Sequence, residues 1–110
     1  MVNAERAIDP VSIFGALGDA TRLKLVDTMS DGESRSISDL ASGFGMSRQA
    51  ITKHLKVLEA AGLVANDRVG RETQFRLETG AIDAARDYLD RVSRHWDEAI
   101  GRLKDFLGEG

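Results

Sequence analysis

The chain has no cysteine among its 110 residues. That removes disulfides, thiolate-held metals and thiol redox sensing together. There is no apolar run approaching membrane-spanning length and no signal peptide, which predicts a soluble, cytoplasmic protein with no membrane partner. Histidine is scarce, with only His54 and His95, far apart in sequence. A phosphate-binding glycine loop and a paired-carboxylate motif are also missing, so the residues do not assemble the acid, base and nucleophile of an enzyme. The one proline, Pro10, follows Asp9 and reads as a helix start rather than a linker. What remains is a single small domain, 42% hydrophobic, able to bury a modest core.

The net charge of −3 argues against a polyanionic partner, but its distribution argues for one. Between Ser47 and Arg76 lie six of the 15 basic residues and three of the 18 acidic ones, so that segment carries +3 and the remainder −6. A local basic face is what phosphate binding needs.

That face centres on the stretch Ser47 to Gly62. Ile51, Leu55 and Leu58 recur at helical spacing and predict one buried stripe. Ser47 suits an N-cap and Gly62 a left-handed exit. The opposite side carries Arg48, Gln49, Thr52, Lys53 and Lys56, with no carboxylate before Glu59. Gln49 and Thr52, in the first turns, are the candidates for base edges, and Lys53 and Lys56 for phosphates. Arg48 suits either a guanine edge or a phosphate. His54 lies at the edge of the stripe and suits either packing or a phosphate contact. Ser47 suits a cap and a phosphate contact at once.

The flanking segments supply the context. Asp9-Pro10 opens a short first helix with Val11, Phe14 and Leu17 as its apolar face, ending at Gly18. Asp19 caps a second, from Ala20 to about Ser30, with Leu23, Leu25, Val26 and Met29 as buried candidates. Ser36-Ile37-Ser38-Asp39 fits a capping box, opening a third helix that runs to about Phe44 and buries Ile37, Leu40 and Ala41. Gly45-Met46-Ser47 then forms the tight turn of a helix-turn-helix. After Gly62 the period changes. Leu63 to Arg68 and Thr73 to Leu77 read as strands, joined by a tip, Val69-Gly70-Arg71-Glu72, that places Arg68 and Arg71 beside it. A basic hairpin directly after a basic helix suits a wing on the DNA backbone or in the minor groove. From Gly80, with Thr79 as the cap, Ile82, Ala85, Leu89, Val92, Trp96, Ala99, Leu103 and Phe106 alternate in threes and fours. This seam runs for about 25 residues, or about 40 Å, more than one small domain can cover, and it predicts a homodimer. The expected fold class is mainly α with a β-hairpin wing: four helices, two strands and a last helix in a winged helix-turn-helix. Residues 1–9 are expected to be a flexible N-terminus and 10–110 a single domain, with 10–18 and 80–107 as dimerisation helices.

Phe14 to Arg22, Ile37 to Ala41, Met46 to Leu58, Ala61 to Val64 and Gly70 to Glu72, in that order, resemble the ArsR/SmtB-type bacterial transcriptional regulators over about residues 10–107. The resemblance implies a winged-helix homodimer that binds double-stranded DNA at a partly palindromic operator, usually as a repressor, with the first and last helices as the interface. Phe14, Leu17, Leu89, Val92, Trp96, Ala99 and Leu103 fall there, and Ser47, Arg48, Gln49, Thr52, Lys53, His54, Lys56, Arg68 and Arg71 fall on the DNA side. The sensing function of the family carries over less well. The helix before the reading helix offers no cysteine pair. His95 and Glu98 make only half of a last-helix metal set, and Ala84 and Ala85 stand where its partners would be. The expectation is therefore a metal-independent branch with no cofactor and with any effector unspecified. The competing reading is a winged-helix module for protein–protein contact. Such modules often lose the basic face, which this chain retains.

Overall fold

The computed structural model describes residues 9–108, so residues 1–8 of the expected flexible N-terminus lie outside it. The elements in chain order are α1 (Pro10–Leu17), α2 (Ala20–Thr28) with a 3-10 turn at Met29–Asp31, β1 (Arg35–Ser36), α3 (Ile37–Phe44), α4 (Arg48–Ala60), β2 (Val64–Val69), β3 (Glu72–Leu77) and α5 (Thr79–Phe106). They form a winged helix-turn-helix.

The helix starts follow from side-chain oxygens that accept the first free backbone N–H groups. Asp9 accepts from Val11 at 3.2 Å, Asp19 from Thr21 and Arg22 at 3.0 Å each, Ser36 from Asp39 at 3.0 Å and Ser47 from Ala50 at 3.0 Å. Glu78, not Thr79, occupies the cap position of α5, without a side-chain bond, and Thr79 is already helical. The stops at the two ends of the reading unit use glycine. Gly45 (φ +64°) ends α3, and Gly62 (φ +80°) follows α4, where its N–H donates to the Glu59 carbonyl at 2.9 Å. Both conformations are left-handed and favour a residue without Cβ.

One core joins these elements. Ile51, Leu55 and Leu58 of α4 are wholly buried with Ile13, Leu25 and Met29, and Leu40, Leu63 and Phe75 close around them. Two expected core residues are not in it. Val11 is 79% exposed and Leu23 54% exposed. In α1 the inward residues are Ile13 and Ala16, three apart, which leaves Phe14 and Leu17 half-buried on its flank. Ile37 and Val26 also pack only at the margin of the core.

The wing has one strand more than the sequence pattern predicts. The sheet order is β1-β3-β2, fully antiparallel, with Arg35 opposite Phe75 and Ser36 opposite Gln74. A two-residue strand carries no readable alternation, which explains why it escapes sequence analysis. Arg35 also clasps Asp31 with two bonds, of 2.6 and 3.0 Å, and its guanidinium pulls that carboxyl down to about 2. The hairpin closes at Val69 opposite Glu72, so its tip is Gly70-Arg71. Only Gly70 of the two has positive φ (+64°), the pattern of a turn that wants glycine first.

α5 is 28 residues long, about 42 Å at the usual rise. Only Ala81 and Ala85, near its start, are buried. Phe14 of α1 meets Tyr88 with ring centroids 5.7 Å apart. Beyond that contact the helix leaves the domain with Leu89, Val92, Trp96, Leu103 and Phe106 uncovered, Trp96 to 66% and Phe106 to 86%. The radius of gyration is 18.4 Å, against about 13 Å for a compact chain of this length. The excess is this projecting helix.

The two glycine environments predict opposite results. Gly62→Ala should lower stability by about 1–2 kcal/mol, because its φ of +80° is left-handed. Gly43→Ala lies within α3 with nothing within 4 Å of the added methyl, so it should be neutral or stabilise by up to about 1 kcal/mol. Urea unfolding of the two variants checks the pair.

Candidate nucleic-acid interface

α4 is anchored on its inner side by Ile51, Leu55 and Leu58, so its outer side is fixed in rotation. That side presents Ser47, Arg48, Gln49, Lys53 and Lys56 to solvent. Ser47, Arg48, Gln49, Thr52 and Lys53 surround one shallow hollow at the head of the helix. Thr52 is half-buried, and its hydroxyl donates to the Arg48 carbonyl at 2.7 Å. In this rotamer it can accept a hydrogen bond or offer its methyl, but its proton is committed. Lys56 differs from Lys53 in having a partner: its Nζ is 3.6 Å from the Glu59 carboxylate. Glu59 in turn accepts from Asn66 on β2, which ties the end of the reading helix to the wing.

On the wing, Arg71 lies at the exposed tip, and Arg68 Nε reaches back to the Gly70 carbonyl at 3.4 Å. Arg76 is spent internally, 3.0 Å from Asp67 and 2.9 Å from Glu78, and both carboxylates raise its pKa. The basic charge available at the wing is therefore that of Arg68 and Arg71. A small polar cleft across the start of α3 is lined by both Arg48 and Arg71.

His54 stands apart from the other DNA-side candidates. Its ring is half-buried and turned toward the α1–α2 corner, with Nδ1 3.4 Å from an Arg22 nitrogen and 3.8 Å from Asp19. Arg22 Nε donates to the Ala16 carbonyl at 2.7 Å, closing the end of α1. The Asp19 carboxyl is held below its ordinary range, first by the Arg22 backbone N–H and then by the Arg22 and His54 charges. Asp19, Arg22 and His54 thus form a polar joint under α4. Sequence position allows His54 either packing or a phosphate contact, and its ring lies within this joint. Asp19 reads as a cap from the sequence, but its reach to α4 requires a fold in which α2 crosses beneath that helix.

A helix-turn-helix domain model matches residues 17–66 of the chain. The HTH-type transcriptional regulator Rv2034 of Mycobacterium tuberculosis is 33% identical over 91 residues, which are 83% of this chain and 81% of that protein. The arsenical resistance operon repressor of Escherichia coli K12 is 31% identical, over 83% of this chain and 78% of its own. An ArsR-like transcriptional regulator from a Rhodococcus species superposes with a TM-score of 0.78 at 36% identity, covering 88% of this chain and 91% of that one. The chain belongs to the ArsR/SmtB-type regulators. It is a DNA-binding transcriptional regulator with a winged helix-turn-helix.

Among the described residues of this ArsR-type chain, no three His, Cys, Asp or Glu side chains gather as metal ligands, and His95 and Glu98 both lie exposed on α5. No helix among them is long and apolar enough to cross a membrane. Of the expected dimer residues, Leu89, Val92, Trp96 and Leu103 are exposed, whereas Phe14, Leu17 and Ala99 are half-buried.

The polar joint predicts that one arginine of this regulator acts on stability rather than on DNA. Arg22→Ala should cost about 1–3 kcal/mol in urea unfolding, because it strips a charged donor from the Ala16 carbonyl. The salt dependence of DNA binding should not change.

Proposed function

We propose that the chain is a homodimeric repressor that binds an inverted-repeat operator in the cytoplasm, with α4 in the major groove and the wing along the flanking backbone. Ser47, Lys53 and Lys56 hold phosphates, Gln49 and Thr52 read base edges, and Arg68 and Arg71 extend the contact from the wing. The observation that carries this reading is the two-sided character of α4: an inner stripe with no exposed surface, and an outer face of basic and amide side chains with no carboxylate in its first two turns. The repressor role is supported by the Escherichia coli relative, which is an operon repressor by name. The uncovered stripe of α5, with Phe14 and Leu17 beside its start, supports pairing with a second copy. A two-fold through that pair sets two α4 helices on half-sites about one helical turn, 34–36 Å, apart.

Selection of bound duplexes from a random pool at near-physiological salt, with and without zinc, tests this reading. Enrichment of an inverted repeat with that spacing is expected, without dependence on zinc. The absence of enrichment would favour a protein-interaction module. On the selected duplex, Gln49→Ala should relax preference at one base position by about 1–3 kcal/mol. Lys53→Ala should weaken all sequences alike and reduce the salt slope by about 0.9. Replacing Leu89 and Trp96 by glutamate should halve the sedimenting mass. An unchanged dimer in that experiment rules out the α5 interface.

A further inference from the structure

One cleft on the DNA side joins elements far apart in sequence. Its walls are Ser36 and Ser38 at the start of α3, Arg48 at the first position of α4, and Arg71, Glu72 and Thr73 of the wing. Among the described residues, neither Arg48 nor Arg71 is ion-paired, unlike Arg35, Arg76 and Lys56. Glu72 accepts from Gln74 Nε2 at 3.3 Å, a neighbour on its own strand, and leaves the cleft with a net charge of +1. Ser36 is 5% exposed; its oxygen accepts the Asp39 N–H, which leaves the hydroxyl proton free to donate. The two guanidiniums outnumber the single Glu72 carboxylate of the cleft, so the cleft keeps an attraction for one further anion. A phosphodiester, with one negative charge and two acceptor oxygens, brings the charge of the cleft to zero and suits a guanidinium on each side.

The position of Arg48 points the same way. Helical side chains lean toward the N-terminus. At the first residue of α4, Arg48 borders both this cleft and the hollow on the outer face, whereas Gln49 and Lys53 border only the hollow. We infer that Arg48 and Arg71 clamp a single DNA backbone phosphate in this cleft, so that Arg48 is a positioning residue and not a reader of guanine. The inference rests on the DNA-binding reading of α4 and the wing, and it identifies one phosphate as the point where helix and wing act together.

The test is DNA affinity over a salt series for Arg48→Ala, Arg71→Ala, the double variant and Arg48→Lys, on the selected operator and on a scrambled duplex. Both arginines are exposed, so the variants should fold as the parent does. Each alanine variant should lose on the order of tenfold on both duplexes alike with little change in salt slope, because the other guanidinium still neutralises the phosphate. The double variant should lose about 0.9 of slope, because only one phosphate is at stake and neither guanidinium remains to hold it. Arg48→Lys should keep most of the affinity and all of the base preference, because lysine still brings a point charge to a phosphate. A slope smaller by about 0.9 in each single variant, and by twice that in the double one, overturns the shared phosphate. Lost discrimination between the duplexes in Arg48→Ala overturns the assignment of Arg48. Failure of the parent chain to bind either duplex overturns the DNA-binding reading, and the clamp with it.

Discussion

Ile51, Leu55 and Leu58 have no exposed surface, and the remaining geometry of the DNA side depends on their burial. Three apolar side chains on one flank fix the rotation of α4 about its own axis, so the choice of outward residues follows from packing and not from any property of those residues. Burial of this kind does not set a direction along the helix axis. That comes from polar contacts at the two ends: the Ser47 cap and the left-handed Gly45 at the start, and Gly62 with the Glu59–Asn66 bond at the finish. The Asp19–Arg22–His54 joint adds a third support from beneath. An apolar core permits α4 to slide, and the capping groups and the joint restrict that sliding.

The reading helix and its turn were legible because their signals are local. A serine cap, an apolar stripe and a glycine exit all lie within sixteen consecutive residues, and each has one physical meaning. The hairpin was legible for the same reason, although its first strand lies one residue later than alternation suggests and its second begins one residue earlier. Leu23 and Val11 were misread because hydrophobicity reports what a residue tolerates, not what covers it. In short helices such as α1 and α2 the stripe is too brief to distinguish one flank from the next. β1 was invisible because pairing is a property of two segments, and its partner Phe75 lies 40 positions away. The same holds for the site. Arg48 could be assigned to a base or a phosphate from its own position, and only the cleft it shares with Arg71 gives a reason to choose.

The charge pattern acquires a spatial meaning once the ion pairs are placed. The wing strands carry a third arginine besides Arg68 and Arg71, but Arg76 is neutralised by Asp67 and Glu78 at its base. The unpaired positive charge is thereby moved outward to the tip and to the head of α4, where a polyanion can approach without displacing an internal partner. A chain with an overall negative charge can present a positive edge in this way, and its acidic remainder disfavours contact with DNA through any other face.

The two-residue strand β1 has a mechanical consequence. It immediately precedes α3, and it is laced to β3, which is the middle strand of the wing. The hairpin is therefore not a free arm hinged only at Gly62 and Glu78; its base is stitched to the first helix of the reading pair. Within one protomer the distance from groove to flanking backbone is set by a rigid frame. In the proposed homodimer, an operator whose half-sites are spaced differently must then be met by rotation or bending at the proposed α5 pairing, or by deformation of the DNA itself.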